Sequence, residues 1–130
     1  MDKKIILILE DEETIRLILE QGLKSKFGEE SLEILSTGDG KKALRLIFER
    51  DGKIDLIVTD IHHPGISGLE LAEMVRQDYP NIKIIFCSGY ASATVIDKCN
   101  EVADYYLAKP VNFEEYENVV GKYLNIGDLR

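Results

Sequence analysis

Basic charge is scarce in this sequence: 16 lysines and arginines stand against 24 acidic residues, a net charge of −8. Neutralising nucleic-acid phosphates needs a basic surface, so direct nucleic-acid binding is not expected, and the acidity suits a divalent cation or a basic face on a protein partner. Long apolar runs are missing too, with nothing approaching the roughly eighteen residues of a membrane span. The opening segment, residues 2–9, is too short and too soon acidic for a secretory signal, so a soluble, cytoplasmic protein without membrane contact is expected. The only two cysteines, Cys87 and Cys99, are too far apart for a CxxC redox pair and have no second pair to complete a zinc site. Both read as reduced, structural thiols. Repeats, low-complexity stretches and linkers are absent as well.

What remains is a chain of 130 residues, 45% apolar, enough for one domain (residues 1–130, core about 4–124) with one core. Short, nearly continuous apolar runs recur at residues 5–9, 32–35, 54–58 and 82–87, as in parallel strands buried on both faces. Helical periodicity separates them. Ile15, Ile18, Leu19, Gly22 and Leu23 form a first stripe; Ala43, Leu44, Ile47 and Phe48 follow Gly38-Asp39-Gly40; Leu71, Ala72 and Val75 follow Gly68 and are closed off by Pro80-Asn81. Residues 91–100 are poorly amphipathic. A short strand at residues 105–107 precedes a last stripe of Phe113, Tyr116, Val120, Tyr123 and Leu124 after Pro110.

The order βαβαβαβαβα with right-handed crossovers gives an α/β fold: a (βα)5 doubly wound parallel sheet, flavodoxin-like, with strand order 2-1-3-4-5. Ligands of such sheets bind beyond the carboxyl ends of the strands. Glu10 and Asp11 fall at the end of the first strand, Asp60 at the third, Ser88 at the fourth and Lys109 at the fifth. Each has a plainer reading: Asp11 caps the first helix, Ser88-Gly89 is a turn, Lys109 makes a structural ion pair. Together, three carboxylates would repel one another and gain protons unless a cation neutralises them, and oxygen ligands with open water positions suit Mg2+. A carboxylate nucleophile, a cation, an ammonium and a hydroxyl are also what phosphoryl transfer requires.

The motifs Ile8-Leu9-Glu10-Asp11-Glu12, Asp55-Leu56-Ile57-Val58-Thr59-Asp60, Pro64-Gly65-Ile66-Ser67-Gly68, Cys87-Ser88-Gly89 and Tyr106-Leu107-Ala108-Lys109-Pro110, in this order over nearly the whole chain, resemble the receiver domains of two-component response regulators. The resemblance implies Asp60 as phosphoacceptor; Glu10, Asp11, Asp60 and the His62 backbone carbonyl as Mg2+ ligands; Ser88 and Lys109 on the phosphoryl oxygens; and Ser88 with Tyr106 as the switch. It also implies a sensor histidine kinase or histidine phosphotransfer protein as donor, a downstream effector read by the fourth helix, fifth strand and fifth helix, and a monomer or phosphorylation-dependent dimer. Such a domain is a phosphoacceptor with self-catalysed transfer and dephosphorylation, not an enzyme in the usual sense.

Three departures stand out. Glu10 occupies a position where Asp is commoner, and His62-His63 precedes Pro64 where Met usually precedes it; both histidines read as exposed loop residues. His62 and Tyr90 hold the two variable positions that screen the attacking water, and their bulk points to a long-lived phosphoaspartate. Competing readings are a pseudo-receiver that works without phosphorylation and a small Mg2+-dependent phosphohydrolase. The latter needs an acid where His62 stands. A flavodoxin needs a Ser/Thr/Gly-rich phosphate loop where Glu10-Asp11-Glu12-Glu13 stands. No output element is expected after Leu124, which leaves open a stand-alone regulator or part of a longer protein.

Overall fold

Apolar side chains at alternate positions of a strand face opposite sides, so a run such as Lys4–Leu9 needs cover on both. A computed structural model, describing residues 3–62, 65–89 and 91–127, shows how it is obtained. The elements are β1 (Lys4–Leu9), α1 (Glu13–Phe27), β2 (Leu32–Thr37), α2 (Gly40–Glu49), β3 (Leu56–Thr59), α3 (Gly68–Asp78), β4 (Lys83–Ser88), α4 (Ala93–Val102), β5 (Tyr105–Ala108) and α5 (Phe113–Leu124). All strand pairings are parallel and the order is β2-β1-β3-β4-β5, as the sequence predicts.

Ile6, Ile8, Val58, Ile85 and Leu107 pack under α1 and α5, against Leu19, Leu23, Phe27, Tyr116 and Val120. Leu7, Leu9, Ile57, Ile84 and Phe86 pack on the other face against Ala43, Ile47, Leu71, Val75 and Cys99 of α2, α3 and α4. At about 1.5–3 kcal/mol for each fully buried large aliphatic or aromatic side chain, these two layers supply the main drive to fold. Both cysteines are free and buried, one in each layer.

The helices start where short polar side chains cap them. Asp39 accepts from the Lys41 N–H at 2.9 Å, Ser67 from Glu70 at 3.2 Å, Ser92 from Val95 at 3.2 Å and Asn112 from Glu115 at 3.0 Å. The first helix corrects the capping reading of Asp11: its N-cap is Glu12, and no side chain caps it. The Glu12 N–H instead donates back to Glu10 Oε2 at 3.0 Å, which leaves Asp11 exposed at the cleft.

Three residues assigned to buried stripes face outward: Ile18 is 44% exposed, Phe48 49% and Phe113 40%. On α1 the buried line is Leu19, Leu23 and Phe27, and Ile18 lies one step of about 100° off it. Phe48 finds partial cover beyond its helix, its ring 6.2 Å from that of Tyr79. In α4, Cys99 is the one fully buried residue, with Val95 and Val102 partly buried a turn to either side. The helix therefore does carry an apolar stripe, but a thin one.

Candidate functional site

The carboxyl ends of β1, β3, β4 and β5 share one edge of the sheet, and parallel register places their last residues side by side. The Asp60 N–H donates to Leu9 O at 3.2 Å, the Glu10 N–H to Thr37 O at 3.1 Å and the Lys109 N–H to Ser88 O at 2.9 Å. These backbone bonds bring together Glu10, Asp60, Ser88 and Lys109, residues up to 99 positions apart. Behind Asp60, the chain turns through buried Ile61, whose carbonyl accepts the Gly68 N–H at 2.8 Å. Gly68 packs so tightly on the Asp60 carbonyl that a Cβ would run into it.

Lys109 sits at the centre. Its Nζ donates to Asp60 Oδ2 at 2.8 Å and to Glu10 Oε1 at 2.7 Å, while the other Asp60 oxygen accepts the His62 N–H at 3.3 Å. Arg16 of α1 braces the same loop by donating to Glu10 O at 2.8 Å. Burial pushes the Asp60 carboxyl upward, but the hydrogen bond and charge of Lys109, the His62 N–H and the Ser88 hydroxyl outweigh it and hold the carboxyl below its ordinary range. For Lys109 burial works against the charge, and the two carboxylates reverse it, raising its proton affinity above that of a free lysine. The mutual repulsion inferred from three acidic residues is thus partly answered within the protein, by Lys109. Cys87 nearby is pushed up to about 12, chiefly by burial and, against the pull of Lys109, by the Asp60 and Glu10 charges, so it stays a thiol at neutral pH.

Glu10, Asp11 and Asp60 each offer a carboxylate oxygen, all within 4.8 Å of one another. An all-oxygen set of this kind, with Asp11 exposed, fits a hard divalent cation that keeps several waters. Both oxygens of Glu10 already accept a hydrogen bond, one from Lys109 and one from the Glu12 N–H, and those of Asp60 accept from Lys109 and the His62 N–H. Ser88 is buried in the cleft floor. Tyr106 is half-buried beside the layer under α4, and its hydroxyl donates to Gly89 O at 3.4 Å. His63, Pro64 and Tyr90 lie outside the described residues. Sequence reasoning missed Arg16 and the packing role of Gly68; a glycine just inside the third helix was the available signal for the second.

A family model described as the response regulator receiver domain matches residues 6–120. The sporulation initiation phosphotransferase F of Bacillus subtilis (strain 168) is 29% identical over 125 residues, 95% of each chain. The uncharacterized transcriptional regulatory protein YrkP of the same organism is 35% identical over 113 residues, 85% of this chain but 45% of that protein. Against two further relatives, a sensor kinase and a DNA-binding transcriptional regulator, the chain spans only 13% and 25% of the relative's length. Among solved structures, a CheY-like response regulator receiver domain protein from Methanospirillum hungatei JF-1 superposes with a TM-score of 0.83 at 29% identity, covering 95% of each chain. With the fold, the strand-end cleft and the family model in agreement over most of its length, the chain belongs to the response regulator receiver domain family.

Proposed function

We propose that residues 1–130 form a single receiver domain that accepts a phosphoryl group on Asp60 and thereby changes its affinity for a protein partner. The observation that carries this reading is the Lys109 ammonium held 2.8 Å from Asp60, with Glu10 and Asp11 beside it at the ligand-binding edge of the sheet. Asp60, kept ionised by that contact, attacks phosphorus through one carboxylate oxygen; the bond to the donor imidazole nitrogen breaks, and its electron pair stays on the leaving nitrogen. Lys109 then pairs with a phosphoryl oxygen and Ser88 donates its hydroxyl to another. Asp11, Asp60, Glu10 and the His62 backbone carbonyl would hold Mg2+, which when bound would supply neutralising charge for the phosphoryl oxygens. Water attack on the acyl phosphate returns free Asp60, so the domain is a phosphoacceptor that catalyses its own loading and unloading.

Drawing the Ser88 hydroxyl inward leaves room that the half-buried Tyr106 ring can fill, which biases the face made of α4, β5 and α5 between two packings. The donor is a sensor histidine kinase or histidine phosphotransfer protein. Exposed Leu17, Ile18 and Phe113, on α1 and at the start of α5 beside Pro110, offer it an apolar footing near Asp60. The effector is a protein or domain contacted through the α4-β5-α5 face, without direct nucleic-acid contact, and the domain acts in the cytoplasm as a monomer or phosphorylation-dependent dimer. Among the described residues no helix is long and apolar enough to cross a membrane.

Intact mass after incubation with acetyl phosphate tests this reading. The expected result is a Mg2+-dependent gain of one phosphoryl group, abolished by chelator and by Asp60→Asn. No gain with Mg2+ demonstrably bound would favour a pseudo-receiver.

A further inference from the structure

The two ends of α4 are held very differently. At its C-terminal end Arg76, from the last turn of α3, spends all five of its N–H donors. Nε donates to Val102 O at 3.0 Å; Nη1 to Pro80 O and Ile82 O, both at 3.0 Å; Nη2 to Val102 O at 2.8 Å and Asp104 Oδ2 at 3.1 Å. Val102 O is one of the carbonyls that a helix end leaves without an internal partner, and a cation is favoured there by the helix dipole. Asp104 extends the tie. The same Oδ2 accepts the Ile84 N–H at 2.9 Å, and the Asp104 carbonyl accepts the Tyr123 hydroxyl at 3.0 Å. Arg76 and Asp104, the latter through its carboxylate and its backbone carbonyl, thus join α3, α4, β4 and α5 just before β5, at the edge of the sheet opposite Asp60.

At the N-terminal end, beside Ser88 and Gly89, the ties among the described residues are local or long. Ser92 caps its own helix at 3.2 Å, and the Tyr106 hydroxyl reaches Gly89 O only at 3.4 Å. Between the ends, Cys99 is the one fully buried residue of α4. An element fixed at one end and lightly packed at the other responds to a local push by swinging about the fixed end.

We propose that Arg76 is a positioning residue, the pivot of the α4-β5-α5 face: it pins the C-terminal end of α4 so that phosphorylation displaces the N-terminal end. The coupling to phosphorylation rests on the phosphoacceptor reading of Asp60; the pivot itself does not.

Amide hydrogen exchange on the full chain, with intact mass recorded on the same samples, tests it. In unphosphorylated protein the hydrogen-bonded amides of residues 96–98 should exchange about tenfold or more faster than those of residues 101–104, the reverse of ordinary C-terminal fraying. Acetyl phosphate with Mg2+ should change exchange at residues 96–98 and leave 101–104 unmoved. Arg76→Lys keeps the charge but loses the planar fork, and should abolish the contrast by speeding residues 101–104 alone. Asp104→Asn should give a smaller effect at the same amides, and serves if Arg76→Lys does not fold. A merely structural arginine would, when replaced, speed exchange evenly, β1 and β3 included. That even rise, equal exchange at the two ends of α4 in wild type, or protection at 101–104 unchanged in Arg76→Lys would overturn the proposal. Absence of a mass gain counts against the phosphoacceptor reading and leaves the pivot to the unphosphorylated comparison.

Discussion

Lys109 and Asp60, 49 positions apart in the chain, meet at 2.8 Å across the ends of β5 and β3. The contact ties the proton affinity of each to the presence of the other.

Its first consequence is a pH dependence with a definite sign. Asp60 titrates below its ordinary value in the folded protein, so its contribution to stability is present above the unfolded value of about 4 and lost as pH falls through the folded one. Lys109 titrates above its ordinary value, so its contribution is present below about 10.4 and lost as pH rises through the folded value. Urea midpoints of wild type and Lys109→Met should therefore differ most between these limits and converge beyond both. A constant difference from pH 3 to 12 would contradict the coupling.

The acidic cluster predicts a metal effect on stability. A ligand that binds only the folded state adds about 1.4 kcal/mol for each tenfold rise in its free concentration above the dissociation constant. Mg2+ should raise the thermal midpoint of wild type and barely move that of Asp11→Asn, because Asp11 is the exposed member of the cluster at the cleft mouth. An equal rise in both proteins would remove Asp11 from the site.

Gly68 gives a packing prediction close to the chemistry. A methyl group there meets the Asp60 carbonyl, and Thr59 Oγ1 stands at 3.0 Å. Gly68→Ala should cost about 1–3 kcal/mol by overpacking, read from urea melts. An unchanged midpoint would show that the turn from residue 60 to residue 68 yields without cost.

His62 donates its N–H to Asp60 at 3.3 Å, which keeps this residue at the mouth of the cleft. The bulk at residues 62 and 90 is proposed to slow the approach of water to the acyl phosphate. His62→Ala combined with Tyr90→Ala should then shorten the lifetime of the phosphorylated form, followed by loss of phosphoryl mass with time. An unchanged decay rate rules the screen out.

The strands were legible because a strand covered on both faces is a nearly unbroken apolar run, and strand order with handedness then located Glu10, Asp60, Ser88 and Lys109 at one edge. What periodicity does not set is the border of a helical stripe. Ile18 and Phe113 neighbour the buried line closely enough to be counted in by period alone, yet both stand exposed. Strand β3 begins at Leu56 and not at Ile54; just before it, Asp55 bonds Ile5 and Lys83 through its backbone and accepts the Ile5 N–H on its carboxylate at 2.8 Å, a side-chain contact that the apolar pattern does not announce. Arg76 and Asp104 were illegible for a different reason. They lie 28 positions apart, belong to types that usually face solvent, and follow no local pattern; only the assembled edge of the sheet brings the carbonyls of residues 80, 82 and 102 around one guanidinium.

Residence of the phosphoryl group on Asp60 can be read chemically. Borohydride reduction of the protein after treatment with acetyl phosphate and Mg2+ converts an aspartyl phosphate to homoserine, which peptide mass spectrometry locates. Homoserine is expected at residue 60 and nowhere else; reduction at Asp11 or Glu10, or a phosphoryl mass that survives borohydride, would contradict phosphorylation of Asp60.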